Sequence, residues 1–422
     1  MSMYKNEFVG CHLHQQTFDI LRSLLRSGAN PTLVNKDGEI PLHIVCDLYG
    51  LHDVESFSML FELSNDKYHP VQLNAKCKGG KTPLHLVLYS NNKEVAEFLL
   101  RRDLVEIFFK VSDELNQQLQ IDARNSRGKT PLYLAFKSGN KKMIEQLLRR
   151  GADPNLAKKH DKSTPLHFIC TKSSGNDMVG VFLKIMKEDR RETSPIDARD
   201  KYGRTPLQYA VAKLSPNTVD VLLDHGAELS NFVFPSESLF DASIKFKSGI
   251  NIKITSSILA VVERLETRGY ELNRSDALTI MKLFAKYKLF VKSADLEVLN
   301  WQDNVRLTRK VKETMISPSL SLYDLLQLRP KEVVKRITFK EYFEFARCSE
   351  KLRMLREKEF EACIVAHLCE KLSRRFFQSW TLYPFWDLIH KRLPLECCDM
   401  ILNNLTNEDL YHIFVSADEQ SS

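Results

Sequence analysis

Three histidines recur at the same place in a repeated four-residue motif, and histidine is the side chain that most often binds metals or moves protons near neutral pH. They are His43, His85 and His167. A metal site needs ligands that converge on one point, whereas these three lie on successive copies of the motif. The pattern therefore favours a structural role for these histidines over a metal site. His12 and His14 are interpreted as part of an N-terminal cap, not as a ligand pair.

Other residues that could do chemistry form no recognisable constellation. The sequence has no Gly-rich phosphate loop, no H-E-x-x-H, no nucleophile elbow and no zinc-ligand spacing. Its nine cysteines include no C-x-x-C pair, which indicates the reduced thiols of an intracellular protein. We therefore expect no catalytic residue, no cofactor and no bound metal, and we do not expect an enzyme.

Composition narrows the class of protein further. With 43% hydrophobic residues in 422, the chain is too apolar to be mainly disordered. A net charge of +7 is mild for this length and does not by itself imply nucleic acid. No apolar run reaches the roughly 18 residues of a membrane span, and no secretory h-region follows Met1. We expect a cytoplasmic monomer, with nuclear entry left open, that binds neither membrane nor nucleic acid.

One stretch, residues 128–154, contains a complete structural unit. Gly128 supplies the positive φ of a tight turn, and Thr130 caps a short helix that Pro131 opens. A second helix with apolar residues at helical spacing ends at Gly151. With Tyr133 in its histidine position, this stretch resembles an ankyrin repeat, whose signature is T-P-L-H-x-A. The resemblance implies that the motif histidines bridge backbone groups between repeats.

The same motif occurs five times. Its prolines, at 41, 83, 131, 165 and 206, are 42, 48, 34 and 41 residues apart, whereas the usual ankyrin period is about 33. The excess is expected in loops, because stacking tolerates little change in helix length. The predicted insertions fall around residues 49–57, 65–70, 103–119 and 188–195, and the third is apolar enough to be an extended helix instead.

The fold class expected from these features is all-α dominated. It consists of an ankyrin-repeat solenoid, with helix-turn-helix repeats and β-hairpin loops, followed by a helical C-terminal region. Residues 1–232 form the array, with a degenerate N-terminal cap and five clear repeats. Residues 233–299 form a degenerate repeat or a helical connector, since a second-helix rhythm and a glycine recur there. Residues 300–422 form the C-terminal region.

The hairpin tips between repeats, here called fingers, are rich in lysine and arginine. Stacking at a fixed offset would align them as a basic edge that steers acidic surfaces of a target protein. Solvated turns, which are often lysine-rich, are the plainer interpretation. Nucleic acid is disfavoured because no aromatic residues alternate with these charges. The basic finger edge consists of Lys76, Lys78, Arg124, Arg127, Lys158, Lys159, Lys162, Arg199 and Lys201.

The C-terminal region begins near residue 300, where charged helices carry two aromatic groups that predict a packed helical core. Near its end, Leu393-Pro394-Leu395-Glu396 opens an apolar helix, and a turn capped by Asn407 precedes Asp409 and Leu410. Residues 393–415 resemble the start of an F-box, which lays apolar side chains into a groove of a ubiquitin-ligase adaptor. The plainer alternative is an amphipathic helix that closes the core.

Ankyrin repeats followed by a truncated C-terminal F-box resemble the PRANC family, known from poxviruses, parasitoid wasps and bacterial symbionts. In that family the repeats choose a target and the box recruits a cullin-type (SCF) ligase, often against host innate immune signalling. The box here is short, because the sequence continues for only a dozen residues beyond Leu410. The resemblance implies adaptor contacts at Leu393, Pro394, Leu395, Ile401, Leu402 and Leu405.

Two functions therefore follow from the sequence. The chain is a substrate receptor that delivers a bound target for ubiquitination, or it is a scaffold that sequesters a signalling protein by occupancy alone.

Overall fold

The computed structural model describes most of the chain as helices and the turns between them. The described residues are 20, 23–24, 26–47, 72–88, 106, 108–172, 175–188, 195–244, 252–290, 305–328, 330–347 and 358–420. The predicted insertions at 49–57 and 65–70, the His12 and His14 pair and most of residues 188–195 lie outside them. Over the described ranges, no helix combines the length and apolarity needed to cross a membrane.

The chain divides into two compact units, Met1–Pro206 and Leu207–Ser422. In the first, short helices that begin at the motif prolines pack against one another in sequence order, and longer second helices pack beside them. The helices of this unit are Pro41–Asp47, Pro83–Leu88, Pro131–Ser138, Lys141–Arg149, Pro165–Cys170 and Gly175–Glu188, with residues 108–114 also helical and a 3-10 turn at Pro195–Asp197.

The best-defined repeat forms as its sequence predicts. Gly128 has φ 69°, and the Thr130 hydroxyl accepts a hydrogen bond of 3.2 Å from the Tyr133 N–H. Pro131 takes the first helical position, where a missing N–H costs nothing. Asn140 caps the second helix, whose buried Met143, Ile144, Leu147 and Leu148 face the core.

Three of the described second helices end in a common way, with a residue in the left-handed conformation. Gly28 and Gly151 have φ 85° and 93°. At the end of helix 108–114 the corresponding residue is Asn116, with φ 51°, and asparagine tolerates this region better than most residues. Residues 108–114 of the third predicted insertion are helical, which agrees with the alternative of an extended helix, and Phe108 and Phe109 are buried.

The fingers are tight hairpin turns joined in a row. Backbone hydrogen bonds close them, as in Cys77 N–H to Lys81 C=O at 3.1 Å and Asn125 N–H to Lys129 C=O at 3.1 Å. Further backbone bonds of 2.8–2.9 Å link successive fingers, from Lys78 to Asp37, from Ser126 to Gly79 and from Lys201 to Asp161. A Cβ on Gly80, which has φ 65°, would lie 2.9 Å from the Ser126 nitrogen, so a glycine is required there.

The second unit is also helical. A two-stranded antiparallel ribbon, Met315–Ser317 with Leu320–Ser321, is its one sheet within the described residues. Its helices are Pro206–Ala212 (whose first residue belongs to the first unit), Pro216–Asp224, Glu237–Ser243, Ile252–Thr267, Arg274–Lys286, Val305–Glu313, Leu322–Gln327, Pro330–Arg336, Phe339–Arg347, Lys358–Leu388, Leu395–Leu402 and Asn407–Glu419.

Three helices after the fifth motif end in the same way as the second helices of the repeats. Gly226, Gly269 and Lys288 have φ 92°, 90° and 51°, and each is followed by an N–H that bonds back to the helix it ends. Residues 233–299 thus contain repeat-like helix ends, and their assignment as a degenerate repeat or a connector stays a prediction.

The predicted aromatic core of the C-terminal region is present. Phe377, on the long helix Lys358–Leu388, meets Phe284 edge to face at 5.1 Å, and Tyr342, Phe343 and Phe345 are buried. The long helix packs against the two helices that follow it. This long helix has no single apolar face, which agrees with its burial on several sides. The expected fold class, all-α dominated with ankyrin repeats, is confirmed.

Candidate interaction surfaces

The motif histidines bridge neighbouring repeats, as predicted. The Nε2 atoms of His43, His85 and His167 lie 3.1, 3.0 and 2.9 Å from the backbone oxygens of Lys81, Lys129 and Arg204. Each Nδ1 accepts the N–H at the start of its own motif, at 3.1–3.3 Å. Each ring therefore fastens one repeat to the finger of the next.

This arrangement requires neutral histidine, because Nδ1 accepts while Nε2 donates. Burial lowers the pKa of His85 to about 4, and burial also lowers the pKa of His43 and His167. The adjoining backbone carbonyls oppose this shift without reversing it. These side chains hold the array together and leave no lone pair for a ligand.

The basic finger edge lies along the row of linked fingers. Lys76 and Lys78 occupy one finger, which the Ser126 to Gly79 bond joins to the finger that carries Arg127. Lys159 and Lys162 are exposed on the next. Backbone hydrogen bonds between fingers place these cations on neighbouring fingers of the first unit, and both their alignment as one edge and the binding of a partner there stay predictions.

Two arginines of this edge have structural contacts that the sequence did not indicate. The Arg124 guanidinium is half-buried and donates to the Ala157 carbonyl of the next repeat at 2.7 Å. Arg199 donates to the Gly203 carbonyl of its own finger at 2.9 Å. Lysines therefore contribute most of the charge that a partner can reach along the basic finger edge.

The last two helices, Leu395–Leu402 and Asn407–Glu419, form the C-terminal helix pair. Leu395 opens the first helix after Pro394, as predicted. The predicted cap of the second is wrong, because Thr406 is the N-cap and its hydroxyl accepts the Asp409 N–H at 3.2 Å. Asn407 is buried in the first turn and bonds to the long helix instead.

A buried polar network joins the C-terminal helix pair to the long helix. The Asn407 N–H donates to Glu370 Oε1 at 2.7 Å, and its side-chain amide donates to Ser373 at 2.9 Å. The Arg374 guanidinium donates to the Leu402 carbonyl and to Asn407 Oδ1, and lies 3.6 Å from Glu370. Burial raises the pKa of Glu370 to about 7, against the opposing effects of the Asn407 N–H and of Arg374.

The predicted adaptor contacts divide by exposure. Leu393, Pro394 and Ile401 are exposed, and Leu395 and Leu405 are half-buried. Leu402 is fully buried against the long helix, so it supports the fold of this segment and cannot contact a partner in this conformation. The predicted contact set is corrected accordingly by removing Leu402.

Two further residues shape this surface and were not among the predicted adaptor contacts. Met400 is 67% exposed beside Ile401 and enlarges the apolar area. Trp386 Nε1 donates to the Leu393 carbonyl at 2.8 Å and fixes the turn before the first helix. Helical spacing alone places Met400 beside the predicted contacts. The contact of Trp386 with Leu393 instead spans a turn in which His390 and Lys391 have positive φ, so spacing does not reveal it. The exposed apolar surface here consists of Leu393, Pro394, Met400 and Ile401.

Potential metal ligands and cysteines are scattered over the described ranges. No group of three histidine, cysteine, aspartate or glutamate side chains lies close enough there to hold a metal ion. The described cysteines are free thiols, and Cys397 is exposed while the other five are buried.

Comparison with known proteins agrees with the repeated geometry. Residues 11–109 and 150–232 match the family model described as ankyrin repeats (3 copies), and residues 127–159 match the model of an ankyrin repeat. No curated protein sequence matches the chain. Among solved structures, the crystal structure of the ankyrin repeat domain of Bcl-3, a unique member of the IkappaB protein family, is similar at 21% identity and a TM-score of 0.35, over 49% of this chain and 77% of that chain. On the matches to the two family models, the chain contains ankyrin repeats, which indicate a protein-protein interaction module.

Proposed function

We propose that this chain is a protein-interaction adaptor and not an enzyme. Its ankyrin repeats bind a target protein, and its C-terminal helix pair recruits that target to a cullin-type (SCF) ubiquitin ligase. The observation that carries the second part is an exposed apolar surface on a rigidly held helix. A helix of this kind fits the helix-in-groove mode of recognition, in which a few apolar anchors dominate affinity.

Several hydrogen bonds hold the C-terminal helix pair in place, which suits a docking element. The capping box of Thr406 and Asp409 fixes one helix start, and the Trp386 to Leu393 bond fixes the approach to the other. The buried Arg374 network fastens the turn between them. A preorganised helix loses little conformational freedom on binding, so more of the contact energy remains as affinity.

Ile401→Asp is expected to weaken binding of the purified ligase adaptor by about 30-fold or more, since a carboxylate would enter an apolar groove without a partner. Ile401 is 40% exposed, so the change leaves the folded core intact. Calorimetric titration of the full chain measures the effect. Val305→Asp is the matched control, because Val305 is an exposed apolar residue outside the C-terminal helix pair. Equal affinities for the two variants would contradict recruitment through this surface.

The basic finger edge is proposed as the steering surface for an acidic target. Replacing Lys158, Lys159 and Lys162 by glutamate changes the charge of one finger by six units and should reduce target capture at least tenfold at physiological salt. Quantitative mass spectrometry of proteins retained by wild type and variant measures this. The variant must still bind the ligase adaptor, which shows that it is folded. Unchanged capture would mean that these lysines only form solvated turns and do not bind the target.

The alternative is a scaffold that sequesters a signalling protein without a ligase. It shares the target-binding surface and differs only in the C-terminal segment. Truncation of residues 393–422 would also remove core contacts, because Tyr411 packs on Phe290 at 5.6 Å and Phe414 is fully buried. Point substitutions therefore distinguish the two functions better than truncation does. We place the adaptor in the cytoplasm or nucleus, where free thiols such as those described here persist.

A further inference from the structure

Two aromatic rings from neighbouring repeats meet in the first unit. Tyr133 occupies the motif position that histidine fills in three other copies. Its ring lies against that of Phe168, the residue after the motif histidine of the next repeat, with the centroids 4.5 Å apart. The tyrosine thus adds an aromatic surface at this junction.

Three lysine side chains gather on these rings. The Nζ atoms of Lys129 and Lys158 lie 5.3 and 4.8 Å from the centroid of the Tyr133 ring. Lys172 Nζ lies 4.8 Å from the centroid of the Phe168 ring. Cation–π attraction favours these positions. The five side chains together are called the Tyr133–Phe168 patch.

Two ammonium groups over one ring repel each other, and one carboxylate lies beside them. Asp161 is 3.7 Å from Lys158 and also accepts the Ser163 N–H at 2.9 Å. Burial, together with the charges of Lys137, Arg127 and Lys158, lowers the pKa of Lys129. An anion that bridges Lys129 and Lys158 would relieve this repulsion.

We propose that the Tyr133–Phe168 patch binds a phosphate monoester on a side chain of the target protein. A phosphate monoester carries about −1.5 to −2 at neutral pH and so balances two ammonium groups, whereas a carboxylate balances one. Lysine suits phosphate as a point charge without the planar geometry that arginine imposes. The inference rests on the proposed target-binding role and specifies the chemistry recognised there.

Single-stranded nucleic acid also combines phosphate with stacking on aromatic rings. Stacking needs an open ring face, and Tyr133 is only 8% exposed because Phe168 and the lysines cover it. The patch therefore offers cations more than a stacking platform, which favours a phosphorylated side chain.

The test uses the full chain and the pentapeptide Gly-Gly-phosphoSer-Gly-Gly, observed by phosphorus-31 NMR. The resonance of the peptide should broaden with wild type, and Lys129→Gln/Lys158→Gln should weaken the apparent affinity at least tenfold. Lys110→Gln/Lys184→Gln is the matched control, because those lysines are 75% exposed on other helices and the net charge changes equally. The control variant should bind like wild type. Circular dichroism melting shows whether each variant is folded, and Lys172→Gln gives a second, milder variant.

Each other outcome overturns the phosphate assignment. Equal loss in both double variants would mean diffuse attraction to surface lysines. Equal competition by the peptide with glutamate in place of phosphoserine would assign the patch to carboxylates. Tighter binding of oligothymidylate, lost in the Lys129→Gln/Lys158→Gln variant, would assign it to single-stranded nucleic acid. Adaptor binding by the same samples reports on the proposed ligase role separately, so failure of one is distinguishable from failure of the other.

Discussion

Arg374→Ala should lower the free energy of unfolding of the C-terminal region by about 3–5 kcal/mol. Arg374 is 5% exposed, and its guanidinium donates to the Leu402 carbonyl and to Asn407 while it faces the Glu370 carboxylate. Removing one partner of a buried polar group leaves the others without compensation, which costs more than the intact contact contributes. The turn between the last two helices is expected to loosen first.

Urea unfolding followed by tryptophan fluorescence measures this effect, because Trp380 and Trp386 both lie on the long helix. Arg375→Ala is the control, since Arg375 is the next residue of the same helix and is exposed. Its replacement should change the free energy of unfolding by about 1 kcal/mol at most. A similar small effect for Arg374→Ala would show that the network does not hold the C-terminal helix pair. The alanine variant should also bind the ligase adaptor poorly, because the exposed apolar surface depends on this anchor.

Acidification should destabilise the ankyrin array through its bridging histidines. His85 has an ordinary pKa of 6.5 when unfolded and a pKa of about 4 when folded. Below pH 6.5 the unfolded state therefore binds a proton that the folded state excludes, and stability is lost as the pH falls from 6.5 to 4. His85 alone contributes a loss of about 2 kcal/mol between pH 7.5 and pH 5, and His43 and His167 act in the same direction.

His85→Gln isolates this contribution. At pH 7.5 the His85→Gln variant should be less stable than wild type. Because glutamine does not titrate, the difference in free energy of unfolding between wild type and variant should shrink as the pH falls to 5. Urea unfolding by circular dichroism at both pH values measures it, and His160→Gln, at an exposed histidine, is the control. A difference that stays constant with pH would contradict the neutral bridging role of His85.

The repeat architecture could be predicted because its signals are local. Gly128, Thr130, Pro131 and Gly151 each determine their own turn or cap, and the structure places all four as expected. The histidine bridges were expected from the resemblance to ankyrin repeats, and the structure contains them, as between His85 Nε2 and the Lys129 carbonyl. The sequence even indicated the helix at residues 108–114 from its apolar run, although the left-handed residue that ends it is an asparagine.

The candidate surfaces were harder to predict, because they depend on contacts distant in sequence. Spacing along the helix Leu395–Leu402 does not show that Leu402 points inward, since the long helix that covers it comes earlier in the chain. Asn407 looked like a cap from its neighbours, yet the partners that hold it are on Glu370 and Ser373. The Tyr133–Phe168 patch likewise joins lysines from different repeats, so aromatic and basic residues alternate in space where they do not in sequence.

The central claim is that one chain carries a target-binding array and a ligase-recruiting helix pair. Light scattering of the purified full-length chain mixed with purified ligase adaptor tests it most directly, with Leu395→Asp run alongside. We expect a one-to-one complex that this substitution disrupts, because Leu395 opens the helix that carries the exposed apolar surface. If the folded chain and the adaptor stay separate at high concentration, that result would contradict recruitment of the ligase. The chain would then be an ankyrin scaffold that acts by occupancy alone.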